Sequence, residues 1–173
     1  MTQLSFQPAF DAFHAVFRFL RLRNVAGSSD GLAYDKLRIL DFYLLFPHKI
    51  RDIRLTASHQ KFKKLSDKYA HTKPYGELPD IRLVFERMRP MQAAAIQTLA
   101  ARSLVSADAL KQSEVMATES TVPQRLAQRV AEINVSQSDL MDFLATLASD
   151  YPLQGDNGLK ARTGLMEHRY DAI

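Results

Sequence analysis

Between Tyr34 and Pro47 the chain reads YDKLRILDFYLLFP, and Leu37, Ile39, Leu40, Phe42, Tyr43, Leu44, Leu45 and Phe46 leave almost no polar face in its second half. A helix that is apolar all round is buried on more than one side, so this stretch is expected to be the central core helix. Asp35 is placed to cap it, Lys36 and Arg38 to lie exposed in its first turn, and Pro47 to stop it. Upstream, Ala9, Phe10, Phe13, Val16, Phe17 and Leu20 recur at helical spacing, with Asp11, His14, Arg18 and Arg21 on the outside. Pro8 suits the first turn of that helix. Gly27, Ser28, Ser29, Asp30 and Gly31 have turn chemistry, so the aromatic first helix is expected to pack directly on the central one.

Past Pro47 the pattern changes. Ile50, Ile53, Leu55, Phe62, Leu65 and Tyr69 recur at intervals in a basic background, which predicts one short helix and one basic amphipathic helix before a loop at KPYGELP, residues 73–79. Asp80 can cap a helix carrying Ile81, Leu83, Val84, Phe85 and Met88. Pro90 is expected to interrupt it, with a new Ala-rich helix starting near Met91 and presenting Ile96, Leu99 and Leu104 on one side. Two short extended segments, Ser103 to Ser106 and Glu114 to Ala117, predict a hairpin around a polar loop. Leu126, Val130 and Ile133 mark one face of a further helix. Ser136 with Asp139 resembles a capping box opening another, whose Leu140, Phe143, Leu144 and Leu147 point inward and which Tyr151-Pro152 ends. Asp156-Asn157-Gly158 is a turn before a mixed tail.

That order predicts a mainly α protein: a winged-helix-like core (helices plus a short β-hairpin) with N- and C-terminal helical extensions. One domain over residues 1–173 is expected. An N-terminal helix and loop occupy 1–31, the core 32–120 with a basic insertion at 48–79, and C-terminal helices with a docking tail 121–173. The helix from Met91 takes the place of a recognition helix and the hairpin that of a wing. The insertion is longer than a simple version of that fold needs.

At 173 residues with 46% apolar and 24% charged side chains, and only 6 Gly and 7 Pro, the chain can build a real core and is not of disordered composition. The absence of Cys removes disulfides, thiolate zinc sites and cysteine nucleophiles, and fits a reducing cytoplasm. The first residues carry no early Lys or Arg and no small-residue cleavage site, and are not read as a signal peptide. No apolar run approaches the roughly 18 to 20 residues of a membrane span. A net charge of +4 is modest, so nucleic-acid binding has to come from a local patch.

The search for chemistry leaves the catalytic, metal and cofactor sets empty. GDNGLKART at 155–163 lacks the glycine spacing of a phosphate loop and no hydrophobic strand precedes it. His14, His48, His59, His71 and His168 include no i, i+4 pair, and solvated imidazoles are expected. There is no G-x-S-x-G elbow. Asp41, set among Ile39, Leu40, Phe42 and Tyr43, needs a partner if buried; a structural bond to a loop or to Arg38 or Arg82 is favoured over a catalytic role. The basic segment supplies candidate DNA-contact residues: Lys49, Arg51, Arg54, Lys61, Lys63, Lys64, Lys68 and Lys73. Phe6, Phe10, Phe13 and Phe17 exceed what one neighbouring helix covers, which marks a candidate partner interface. The tail adds Leu159, Arg162, Leu165, Met166, Arg169 and Tyr170, too apolar a set for a solvated terminus.

Three stretches carry a resemblance: YDKLRILDFYLLFPHKI at 34–50, RMRPMQAAAIQTLAARSLV at 87–105, and GDNGLKARTGLMEHRYD at 155–171. Together they resemble the middle component of bacterial three-component ABC-ATPase (ABC-3C) systems, a family that includes the small subunit of Lamassu-type anti-phage defence. The resemblance implies a non-catalytic subunit, similar in role to the winged-helix accessory subunits of SMC complexes. It would link an SMC- or Rad50-like ABC ATPase, which hydrolyses ATP and senses DNA, to an effector nuclease. Double-stranded DNA is a further candidate partner and a membrane is not. Two other readings compete: a freestanding winged-helix transcriptional regulator, reading bases through Gln92, Gln97, Thr98 and Arg102, and an enzyme with a site around Asp41.

Overall fold

The apolar run at 34–47 does form the middle of the molecule. A computed structural model describes residues 7–23, 25, 31–73 and 80–166. Helix α1 spans Ala12–Leu22, strand β1 Leu32–Ala33 and helix α2 Tyr34–Leu45. Every residue of α2 from Leu37 to Leu44 is buried, and Phe46 closes the helix just ahead of Pro47. Then come a 3-10 turn at Pro47–Asp52, a 3-10 segment at Ala57–Lys64 running into α3 at Leu65–Lys68, and a further 3-10 turn at Ala70–Thr72. The later elements are α4 (Ile81–Ala101), α5 (Ala107–Lys111), β2 (Glu114–Val115), α6 (Gln124–Ser136), α7 (Ser138–Asp150) and α8 (Leu159–Thr163). The fold is mainly helical, with one small antiparallel sheet. Helices α1, α4 and α7 all pack on α2.

The expected hairpin forms, and its loop is folded. Val105 bridges Ala117, with Ser106 N donating to Met116 O at 2.9 Å and Thr118 N to Leu104 O at 3.2 Å. The intervening polar residues make α5, whose N-cap Ser106 accepts from Ala109 N. The second arm continues into β2, which pairs with β1 in the register Leu32 to Val115.

Pro90 does not divide the helix it sits in. Helix α4 is continuous from its Asp80 cap to Ala101. Pro90 lies on the exposed side, where water can take the carbonyl that loses its proline partner, so the missing N–H costs least there. The proline-separated second and third helices are therefore one rod, and Gln92, expected to face bases, is fully buried.

Helix α1 turns a different face inward from the one its apolar pattern suggests. Ala15, Arg18, Phe19, Arg21 and Leu22 are buried, whereas Phe13 is 86% exposed and Phe10 38%. Arg18 and Arg21 go inside because distant polar groups await them. In α2, Asp35 is not the N-cap, and Arg38 is buried rather than exposed. Lys36 donates to Ala148 O and Tyr151 O, covering the open carbonyls at the end of α7. No capping box opens α7: Ser136 bonds back to Ile133 O, and Asp139 binds Lys68 and Tyr69. The inward set Leu140, Phe143, Leu144 and Leu147 is as the period predicts.

The tail docks on the chain itself. Gly158 opens α8, and Leu159 N and Lys160 N donate back to Pro152 O and Leu153 O. Leu159 and Leu165 are in the core, so as folded they offer no surface to another subunit. Gly164 ends α8 in the left-handed region (φ 67°), its N–H bonding Lys160 O. The loop expected at 27–31 and the one at 73–79 fall largely outside the described residues, as do Phe6, Arg169 and Tyr170.

Candidate functional site

Arg18, Asp41, Gln92, Arg38, Asp35 and Lys160 form one chain of contacts through the core. Arg18 on α1 meets Asp41 on α2 side-on, Nε to Oδ1 at 2.6 Å and Nη2 to Oδ2 at 3.1 Å, and its Nη1 donates to Pro8 O. Gln92 on α4 donates from Nε2 to Asp41 Oδ2 at 2.9 Å and accepts from Arg38 Nε at 2.9 Å. Arg38 stacks over Phe85 at 4.6 Å and pairs with Asp35, which also holds Lys160 of α8 at 3.1 Å. Asp41 thus has the structural role expected of it, but through Arg18, not Arg38 or Arg82. With both oxygens engaged by fixed donors, it is a tie between helices.

Three polar groups at α2 and its exit make no hydrogen bond among the described residues. Tyr34 Oη and Arg38 Nη2 are buried and make no hydrogen bond; Arg38 Nη2 lies 3.8 Å from Glu86 Oε1, beyond hydrogen-bond length. Burial pushes the Tyr34 hydroxyl up to about 12. Both ring nitrogens of His48 are enclosed and unpartnered, its ring edge-on to Phe46. Desolvation, with Lys49 and Lys73 adding to it, holds His48 below the usual imidazole range, so it stays neutral. His59 is bonded as well, its Nδ1 2.8 Å from Tyr151 Oη and 3.1 Å from Thr56 Oγ1, its Nε2 3.3 Å from Asp150 Oδ2. The expectation of solvated histidines therefore fails for His48 and His59. His14 and His71 are exposed. Among the described residues no three His, Asp or Glu side chains converge as a metal site.

The basic segment spends most of its charge on the protein. Arg51 pairs with Asp67, Lys68 with Asp139, and Lys49 with Asp52 at 3.7 Å. Lys63 donates to Arg51 O, and Arg54 donates to Ala161 O while Arg162 donates back to Arg54 O. Arg54 and Arg162, assigned from the sequence to DNA and to a partner, are joined to each other. Lys61 lies over Phe62 at 5.2 Å, and Lys64 and Lys73 are exposed.

Phe10, in the 3-10 turn Pro8–Phe10 ahead of α1, and Phe13 on α1 are exposed, Phe17 is half-buried, and Met166 is half-buried at the end of the described tail. Next on that stripe, Arg21 Nε donates to Asn134 Oδ1 at 2.9 Å and Nη2 to Gln137 Oε1 at 2.7 Å. Burial lowers the Arg21 guanidinium to about 10. This tie from α1 to the junction of α6 and α7 is invisible in the sequence, where a mid-helix arginine reads as solvated.

A sequence model of the ABC-three component (ABC-3C) system Middle Component 5 family matches residues 4–171. The chain belongs to that family. No curated protein and no solved structure matches it. A middle component of an ABC-3C system works with the other components of an ABC-ATPase system, which implies an assembly role for this chain. No helix among the described residues is long and apolar enough to cross a membrane.

Proposed function

We propose that this middle component is a non-catalytic assembly subunit of a bacterial anti-phage defence complex of the Lamassu kind, bridging an SMC- or Rad50-like ABC ATPase and an effector nuclease. Family membership over 168 of 173 residues (4 through 171) carries the reading. Two features of the chain support it. Its buried charged groups tie α1, α2, α4 and α8 into a frame, a use suited to a rigid connector. Phe13 stands exposed on α1, where a monomer gains nothing from a phenyl ring in water. In this reading DNA contact falls to Lys61, Lys64 and Lys73, which among the described residues are tied to no carboxylate or backbone carbonyl.

Co-expression with the two other components of its system tests the proposal. The chain should co-purify with both, hydrolyse no ATP and cut no DNA alone, and be required for the ATPase and the nuclease to associate. Isolation as a monomer that binds neither, or turnover by the chain alone, overturns it.

A further inference from the structure

Residues 13, 17 and 21 stand at i, i+4 spacing and so share one stripe of α1. Phe13 is exposed, Phe17 half-buried, and Arg21 buried where the end of α6 and the start of α7 cover it. Arg21 differs from the other buried arginines of the core. Arg18 has Asp41 and Arg38 has Asp35, but Arg21 is held by the neutral side chains of Asn134, Gln137 and Met141, and its Nη1 makes no hydrogen bond among the described residues. The carboxylate of Asp139, two residues past Gln137 in the chain, is taken by Lys68 and Tyr69. Among the described residues no carboxylate pairs with this largely buried guanidinium, and its Nη1 is not enclosed, so the stripe ends in a cation with an open donor. Val135, beside Asn134, is 76% exposed and adds apolar surface on α6.

We propose that this stripe receives an amphipathic helix of another subunit, apolar over Phe13 and Phe17 and carrying an Asp or Glu that meets Nη1 of Arg21. The inference rests on the assembly reading and gives it a surface and a partner chemistry. Residues 13 and 17 lie about 12 Å and about 6 Å along the helix from residue 21, so the partner's acidic residue should stand one to two turns from its apolar residues. Phenylalanine and arginine are both enriched at protein interfaces relative to the rest of the surface. A second copy of this chain is a poor occupant. A symmetric contact brings the same stripe to both sides, and α1 contains no acidic residue; Asp11, at its start, is committed to the His14 amide.

The test uses the full chain co-expressed with the other two components, comparing Phe13→Asp, Arg21→Gln and Arg21→Lys. Phe13→Asp and Arg21→Gln should each weaken association by about tenfold or more; the melting temperature of the isolated chain should stay near wild type for Phe13→Asp and fall for Arg21→Gln, which gives up the bonds to Asn134 and Gln137, and Arg21→Lys should retain most of the association. A photo-crosslinking phenylalanine analogue at position 13, which perturbs no packing, should join to a helical segment with the stated acidic and apolar spacing. That readout also decides the matter if Arg21→Gln loses its fold. Wild-type association by Phe13→Asp, a crosslink to a second copy, a crosslink to a segment without an acidic residue, or no crosslink overturns the inference and leaves the assembly reading standing. Failure of the wild-type chain to associate at all defeats the assembly reading instead.

Discussion

Arg18 and Asp41 form a buried ion pair at 2.6 Å across 23 positions of sequence, and Gln92 bonds the same carboxylate from a third helix. The pair replaces an apolar contact between α1 and α2 with one that has a single geometry. Breaking it on one side strands a charge. Asp41→Ala should therefore cost about 3–5 kcal/mol in urea unfolding, whereas Arg18→Met with Asp41→Leu should recover most of that loss. If the double variant also still assembles with its partners, Asp41 acts through structure alone.

His48 makes stability depend on pH. Its folded pKa lies below the unfolded value of 6.5, so between the two the unfolded chain binds more protons and stability rises with pH. Lowering the pH from 7.5 to 5.5 should therefore destabilise the wild type. His48→Phe keeps the ring beside Phe46 and removes both unpartnered nitrogens. It should gain about 1 kcal/mol at neutral pH and lose the part of the acid response that begins near 6.5. An unchanged melting profile across that window would show the imidazole to be hydrated.

Periodicity served best where burial is apolar throughout. Leu140, Phe143, Leu144 and Leu147 declare the inner face of α7, and Pro47 the end of α2, because one local cause decides each. It misread α1. Arg18 and Arg21 count as polar in any pattern, and what buries them is a carboxylate 23 residues away and two amides more than 100 residues away. The same applies to Arg38 and Gln92. Pro90 misled for another reason: a proline on the exposed side of a long, well-packed helix costs too little to break it. The family resemblance lay in the segments at 34–50, 87–105 and 155–171, whose described residues form α2, most of α4 and α8.

At Gly158 the backbone leaves no room for a side chain: a Cβ there would lie 2.2 Å from Gln154 O. Since Gly158 positions α8 for its bonds to Pro152 O and Leu153 O, Gly158→Ala should lower stability by about 2 kcal/mol or more, a drop of several degrees in melting temperature. Gly155→Ala meets no neighbour and is disfavoured only by its φ of +83°, so its cost should be smaller, about 1 kcal/mol.

Within the basic segment, paired and unpaired cations should separate in their effects. Lys61→Glu with Lys64→Glu removes two exposed charges that hold no carboxylate, and should weaken DNA retention by the assembled complex while leaving the melting temperature near wild type. Arg51→Glu sets two carboxylates against each other at Asp67, and should cost stability by less than about 1 kcal/mol because both partners are exposed. Filter binding at two salt concentrations, beside a thermal melt of each variant, distinguishes the two classes.

Leu165 and Phe13 are both large apolar residues near the ends of the chain, and they should answer opposite questions. Leu165 is buried behind α8, so Leu165→Ala opens a cavity and should cost about 2–4 kcal/mol in the isolated protein. Phe13 is 86% exposed, so Phe13→Ala should change stability by less than about 0.5 kcal/mol. In a pull-down against the other components the order should reverse once fold is accounted for. Phe13→Ala should lose association at unchanged stability, and Leu165→Ala, assayed below its melting transition, should keep it. Weak association by Leu165→Ala in its folded state would mean that the tail, and not α1, meets the partner.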